Sequence, residues 1–351
     1  MPLPDLLERL LTTPGPSGQE RAAAAVWREA AGPVGEVSSD VLGSSWVRVP
    51  GKGGGPSLAL VGHIDEIGVV VTHLGDDGLA AVRPIGGFDP HVMLAQRVDV
   101  LTRDGVVPGI VHSRFQKRKP GEDRKPLDYG DLFLDVGARD GEELRGLIRP
   151  GDSAVWHGAP LELRGDRVAS RSLDNRIGCY VALEAARRIG ERGGAPGDVI
   201  AVAAVQEEIG DFAGSRTSAF AMEPDVAIAI DVTRATDIRG GDHEDEGKVV
   251  LGSGATLTRG PSLHPDVFEL LHDTAEAEGI PFAVEVTRGD THTDADAVYL
   301  TRAGVATGLV SIPLRYMHSP VETVDLDDIE QAVRVLVALA FRLEPGTTFT
   351  G

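Results

Sequence analysis

The dominant pattern along the chain is a series of short apolar runs, each followed directly by polar or acidic residues. The sharpest case is AVAAVQEEIGDFAG (201–214). Five of its first six residues are apolar, as in a buried strand, and two adjacent glutamates, Glu207 and Glu208, follow before any turn residue. A strand end that opens into a core is a costly place for one carboxylate, and worse for two. Consecutive strand residues point to opposite sides, so both glutamates face one site only if the strand has ended there, which Gly210 permits. SLALVGHIDEIGVVVTHL (57–74) is two β-like runs broken at an acidic centre. SGQERAAAAVWREAAG (17–32) begins with a capping box, Ser17 to Glu20, and continues as an alanine-rich helix. From about 67 to 165 the texture changes. VDVLT, VVPGIVH, LFLDVGA and SAVWHG alternate with Gly, Pro and Asp turns, and no long helical period appears. From about 168 helix and strand alternate again. NRIGCYVALEAARRIGERGG reads as a helix, DVIAVAAV and DVAIAID as strands, HPDVFELLHDTAEAEG as a helix, GVATGLVSI as a strand and LDDIEQAVRVLVALAFRL as a closing helix. This predicts an α/β layer on a mostly parallel sheet, with ligands at the carboxyl ends of the strands. The first strands belong to the same sheet. The expected organisation is therefore an α/β domain of residues 1–66 plus 166–351, interrupted by a β-rich insertion, 67–165.

Chemistry collects where these strands end. His63 and Asp65 follow LALVG, and Asp174 stands at a helix start. Glu207 and Glu208 follow VIAVAAVQ, Asp231 follows VAIAI, and His318 follows SIPLRYM. On one sheet these residues converge on one edge. Two histidines with several carboxylates suit zinc, cobalt or manganese. The inventory is large enough for two ions: His63 and Asp231 on one, Glu208 and His318 on the other, Asp174 between them. Glu207 is left over, free to act as general base toward a water held by both metals. Asp65, two residues after His63 and on the same strand face, is placed to accept the second ring N–H of His63 and fix its orientation. Each signal alone is weak. His-x-Asp recurs as His292-Thr293-Asp294, read here as a helix start with Asp294 near the N-cap and, secondarily, as a substrate contact. His73, His91, His112, His157, His243, His264 and His272 are read as structural or surface residues.

Composition narrows the alternatives. A net charge of −20 over 351 residues argues against nucleic acid or an anionic membrane as partner. No apolar run approaches the length of a bilayer span, and the N-terminus lacks the basic start of a signal peptide. One cysteine, Cys179, excludes an internal disulfide framework, fits a reducing, cytoplasmic setting and reads as a buried structural thiol. HSRFQKRKPGEDRK (112–125) is a basic island in an acidic chain, read as an exposed loop or, as the lesser reading, an oligomer contact or a field near an entrance. No Gly-x-Gly-x-x-Gly opens a first strand-to-helix turn, which excludes a dinucleotide binder.

GHIDEIG, SLDNRIG, VQEEIG, IDVT, THTDA and SIPLRYMHSP-E occur here in the same order as in the TET-type dinuclear metallo-aminopeptidases. That family includes glutamyl and deblocking aminopeptidases and proteins once labelled endoglucanase M. The resemblance covers essentially the whole chain. It implies a co-catalytic zinc-peptidase α/β/α domain and a PDZ-like or β-barrel insertion that drives dimer formation. It also implies six dimers assembled as a hollow tetrahedral dodecamer. The family's ligands fall on His63, Asp174, Glu208, Asp231 and His318, and its base on Glu207. The reaction implied is attack of a metal-bridging hydroxide on the first peptide carbonyl of a short peptide. Two departures stand out: His292 occupies a position where the family often has glycine, and GSGATLTRGPSLHP lacks the proline usual after Gly-x-Gly. Both bear on the substrate pocket rather than the metal set. A metal amidase or deacylase using the same water is the alternative activity. A glycosidase is disfavoured, because its two carboxylates must be spaced across a sugar. A non-enzymatic metal-dependent shell would predict a missing ligand or base, and none is missing.

Overall fold

The computed structural model describes residues 1–114, 126–241, 243–244 and 247–349. Its core is an eight-stranded mixed sheet. Across the sheet the strands run Glu36–Ser39, Ser45–Val49, Val199–Ala204, Leu58–His63, Val226–Arg234, Ala306–Leu314, Ala255–Arg259 and Phe282–Val286. The four strands from Val199–Ala204 to Ala306–Leu314 are mutually parallel, so their carboxyl ends share one edge. Both faces of this centre are buried. Leu58 and Leu60 pack into one layer with Leu7, Trp27 and Ile228, while Ala59 and Val61 pack into the other with Ile200, Val202 and Met222. That two-sided burial explains why the runs are apolar throughout instead of alternating. Helices Leu173–Glu191, Pro265–Ala277 and Leu326–Arg342 cover the first layer, and Ala213–Met222 with Ala295–Val298 covers the second.

The β-rich stretch builds a closed six-stranded barrel. Gly68–Leu74 is followed around it by Leu79–Ile85, Leu132–Asp135, Gly105–Ser113, Gln96–Thr102 and Ser153–Trp156, which closes on the first strand through Val69 and Ala154. Inward residues at every second position, Val69 and Val71, Val98 and Val100, Leu132 and Leu134, fill it together with Trp156 and Met93. Of the two forms expected for the insertion, the chain takes the barrel, which leaves no strand edge exposed. The basic island lies outside the described residues from 115 onward. Past the barrel, Leu161–Glu162 and Arg167–Ser170 form a small antiparallel sheet with Glu322–Asp325. This sheet brings the approach to Asp174 beside the segment that follows His318.

One local expectation is overturned. No capping box forms at the second helix, Arg21–Ala31. The Ser17 hydroxyl donates to Asp65 (2.6 Å), and the Glu20 carboxylate accepts from the Gly18 amide (2.6 Å). A tertiary acceptor has taken the serine that local spacing gave to the helix.

Candidate metal centre

His63 ends its strand directly opposite Ala204, the last residue of the neighbouring one. Asp231 lies two residues past Ala229, which pairs with Val61, and so stands level with His63. The helix bearing Asp174 reaches this edge because two glycines let it. A Cβ on Gly62 would sit 2.4 Å from the Gly178 carbonyl carbon, and one on Gly178 would sit 2.5 Å from the Ile230 oxygen. Any side chain at either position would lift the helix start off the sheet. Asn175 fastens the approach, donating to the Ile230 carbonyl (2.7 Å) and accepting from the Gly178 amide (2.9 Å). Asp174 and Asn175 are not helical in φ and ψ, so the Asp174 carboxylate turns toward the histidines.

The opening puzzle of two adjacent glutamates resolves in the backbone. The strand stops at Ala204, and Gln206 takes a positive φ of 60°. The break thus falls before the glutamates, earlier than Gly210 and at a non-glycine residue. Asp65, fully buried, accepts the Glu207 amide on Oδ1 and the Glu208 amide on Oδ2, each at 3.1 Å. It lies 3.4 Å from His63 Nδ1, longer than an ordinary hydrogen bond. Its closer partners are the backbone of the two glutamates and Ser17.

All seven residues named from the sequence come together here. Asp174 is central: Oδ1 faces His63 Nε2 at 3.2 Å, and Oδ2 faces His318 Nε2 at 3.3 Å. Glu208 is 3.4 Å from His318, while Glu207 and Asp231 are 3.6 and 3.9 Å from His63 Nε2. His63, Asp174 and Asp231 form one group whose donor atoms lie within 4.8 Å of one another, and Asp174, Glu208 and His318 form a second. The cluster opens into a cavity of about 880 Å³, lined also by Phe212, Thr233, Glu285, Arg288 and His292.

The electrostatics are strained. Burial pushes the Glu207 and Glu208 carboxyls well above the usual range, and neighbouring carboxylates push further. Burial takes Asp231 up to about 8, with Asp174 adding and His63 opposing. Asp174 is held low against its burial by His318 and His63. Burial works against charge on both histidines, yet Glu207 and Asp174 hold the proton on His63, and Asp174 holds it on His318. Among the described residues no lysine or arginine pairs with these four carboxylates. Glu208 Oε1 is buried without a hydrogen-bond partner. A buried oxygen without a donor, in a set of hard and borderline ligands with excess negative charge, fits divalent metal ions.

Sequence reasoning missed several supports. Glu322, buried, accepts the amides of Asp174 (3.1 Å) and His318 (2.9 Å), bracing the central carboxylate and the histidine together. It stands in the SIPLRYMHSP-E motif, where spacing gives it no role. His318 Nδ1 meets the carbonyl of Gly87, just past barrel strand Leu79–Ile85, so the barrel helps orient this imidazole. Asp294 stands at the N-cap position of Ala295–Val298, as expected, but its side chain makes no capping hydrogen bond. The Thr293 hydroxyl accepts the Ala295 amide (3.2 Å), while the Asp294 carboxyl is buried and adds negative charge beside Glu207 and Asp231. His292 has a φ of 55°, a region that favours glycine.

Comparison with known proteins accounts for this arrangement. Residues 43–335 match the M42 glutamyl aminopeptidase family. The chain belongs to that family. It is 35% identical to the lysyl aminopeptidase of Pyrococcus furiosus, with 97% of each chain covered. It is also similar to the TET aminopeptidase of a marine-sediment Thaumarchaeota archaeon (32% identity, 97% of this chain and 96% of that one, TM-score 0.91). A third relative is the TET1 peptidase of Pyrococcus horikoshii, which assembles into a tetrahedron or a large octahedral shell (30%, 96% and 98%, TM-score 0.84). As a member of this family the chain is a metal-dependent aminopeptidase, a hydrolase of peptide bonds.

Proposed function

We propose that the chain removes N-terminal residues from short peptides at a dinuclear centre. His63 and Asp231 hold one divalent ion, Glu208 and His318 the other, Asp174 lies between the two, and Glu207 is the general base. The observation that carries this reading is Asp174, whose two oxygens each face a different histidine at 3.2 and 3.3 Å. Bound ions supply Lewis-acid polarisation of the scissile carbonyl and a more acidic water. Glu207, at the cavity wall and beside His63, takes the proton of the attacking water and returns it to the leaving amine. Asp65 holds the backbone from which Glu207 and Glu208 project, and the barrel carbonyl of Gly87 holds His318. The donor set accepts zinc, cobalt or manganese alike.

The side-chain preference does not follow from the comparisons, since the family carries a glutamyl name and the Pyrococcus furiosus relative a lysyl one. The shell described for the Pyrococcus horikoshii peptidase supports a homo-oligomer, which we take to be a tetrahedral dodecamer of barrel-mediated dimers. We keep the division into 1–66 plus 166–351 and 67–165, supported by a barrel whose strands all lie within 68–156. The single cysteine supports a cytoplasmic setting.

The test is chelation followed by restoration with zinc, cobalt or manganese, each form assayed on free aminoacyl anilides and on the same compounds N-acetylated. Metal-restored cleavage of the free-amine set alone is expected. Cleavage of the acetylated set would move the activity to deblocking or deacylation.

A further inference from the structure

We propose that Ser17 is a positioning residue of the metal centre. This inference rests on the dinuclear reading above. The chain of contacts is short and buried. Ser17 Oγ donates to Asp65 Oδ2 at 2.6 Å, and the two oxygens of Asp65 receive the amides of Glu207 and Glu208. One hydroxyl thus stands behind the carboxylate that holds both the base and a metal ligand by their backbone. Without it, Oδ2 keeps only the Glu208 amide and the Asp65 carboxylate loses its shortest hydrogen bond.

Ser17 is itself held firmly. Residues 15–17 run beside Glu66 as a short bridge: the Ser17 amide donates to the Glu66 carbonyl (3.3 Å) and the Glu66 amide to the Gly15 carbonyl (3.1 Å). The Glu66 side chain accepts the Gly15 amide (2.9 Å). Arg176, fully buried, donates to the carbonyls of Leu10 (2.7 Å) and Thr13 (3.1 Å) and also reaches Glu66 (3.2 Å). After Ser17 the chain turns at Gly18, φ 84°, whose amide the Glu20 carboxylate accepts. The segment is therefore latched to the residue next to Asp65 at several points, and the serine is delivered to Asp65 by backbone that does not depend on the hydroxyl. That independence makes the residue separable from the fold by mutation.

The test compares wild type, Ser17→Ala, Ser17→Thr and Leu7→Ala. Leu7 is buried in the N-terminal helix Asp5–Thr12 and is not among the hydrogen-bond partners of Asp65. Cobalt titrated into the metal-free proteins reads the two binding steps, and amide hydrogen exchange of the metal-free proteins reads Glu207 and Glu208. Loss of a support behind a ligand weakens metal binding by about 10- to 100-fold. Ser17→Ala is expected to show that loss for one of the two cobalt ions, a lower kcat with KM little changed, and faster exchange at both glutamate amides. Ser17→Thr restores all three, and Leu7→Ala leaves them as in wild type. The proposal is overturned if Ser17→Ala matches wild type in exchange and cobalt affinity, or if Leu7→Ala reproduces its changes. A wild type that binds a single cobalt ion would instead sink the dinuclear reading, while exchange at Glu207 and Glu208 would still decide the role of Ser17.

Discussion

Two buried clusters of charge meet at adjacent residues, Asp65 and Glu66, and the chain treats them in opposite ways. Glu66 is surrounded by donors of its own protein: the guanidiniums of Arg171 and Arg176 and the amide of Gly15. A few ångströms along, Asp174, Glu207, Glu208 and Asp231 share, among the described residues, only two histidines, and three of the four are pushed toward protonation. Removing water from charges costs several kcal/mol per ion unless they are paired. Where the chain provides its own cations, the buried charge is structural. Where it withholds them, the cations must come from outside, and the site is functional.

The contrast can be attacked at four points. The largest effect is expected for Glu207→Gln, which keeps the proposed ligand set and removes the proposed base: turnover should fall by about 10²- to 10⁴-fold with bound metal unchanged, read by kcat and metal analysis on one sample. Near-normal turnover would remove Glu207 as base. Next is Glu66→Gln, which leaves two buried guanidiniums without their anion. A loss of about 3–5 kcal/mol of stability is expected in urea unfolding, and a loss near zero would erase the distinction between the clusters.

Asp231→Asn should act in the opposite sense. In the metal-free protein the carboxyl of Asp231 lies at about 8, above its ordinary value of 3.8. The stability linked to Asp231 is therefore fully present below pH ~4 and is lost as pH rises through about 8. The variant escapes that loss and should be more stable than metal-free wild type by ~1–3 kcal/mol at pH 8, with no gain at pH 4. Adding metal should reverse the order. Denaturation curves at the two pH values, with and without zinc, decide this. The smallest effect is expected for Glu330→Gln, which breaks the paired contacts of Arg188 (2.6 and 2.7 Å) between helices Leu173–Glu191 and Leu326–Arg342. Both side chains are partly exposed, so the cost should stay below about 1 kcal/mol in the same assay. A loss comparable to that of Glu66→Gln would mean that burial is not what separates these ion pairs.

Much of this was readable from spacing alone. The alternation of apolar runs and helical stretches located the central strands and long helices, because two-sided burial demands runs such as LALVG and VAIAI. The chemistry-bearing residues were conspicuous because each follows such a run. Misreadings arose where local spacing met a stronger distant partner. Ser17 and Glu20 have capping-box spacing, yet Asp65 takes the serine. Asp294 has the place of an N-cap, but Thr293 caps Ala295 while the carboxyl turns inward. The break before Glu207 came at Gln206, where no glycine announced a positive φ.

What the sequence determined by itself is the set of elements and the residue types at their ends, since periodicity and side-chain chemistry are local properties. What only the tertiary structure decided is who supports whom. Ser17 reaches Asp65 across 48 positions, Asp65 reaches the Glu207 amide across 142, Glu322 reaches the Asp174 amide across 148, and Gly87 reaches His318 across 231. In each of these contacts a backbone group or a small hydroxyl is one of the partners. Every residue carries an amide and a carbonyl, so their partners are fixed by the path of the chain in space and leave no mark in the letters.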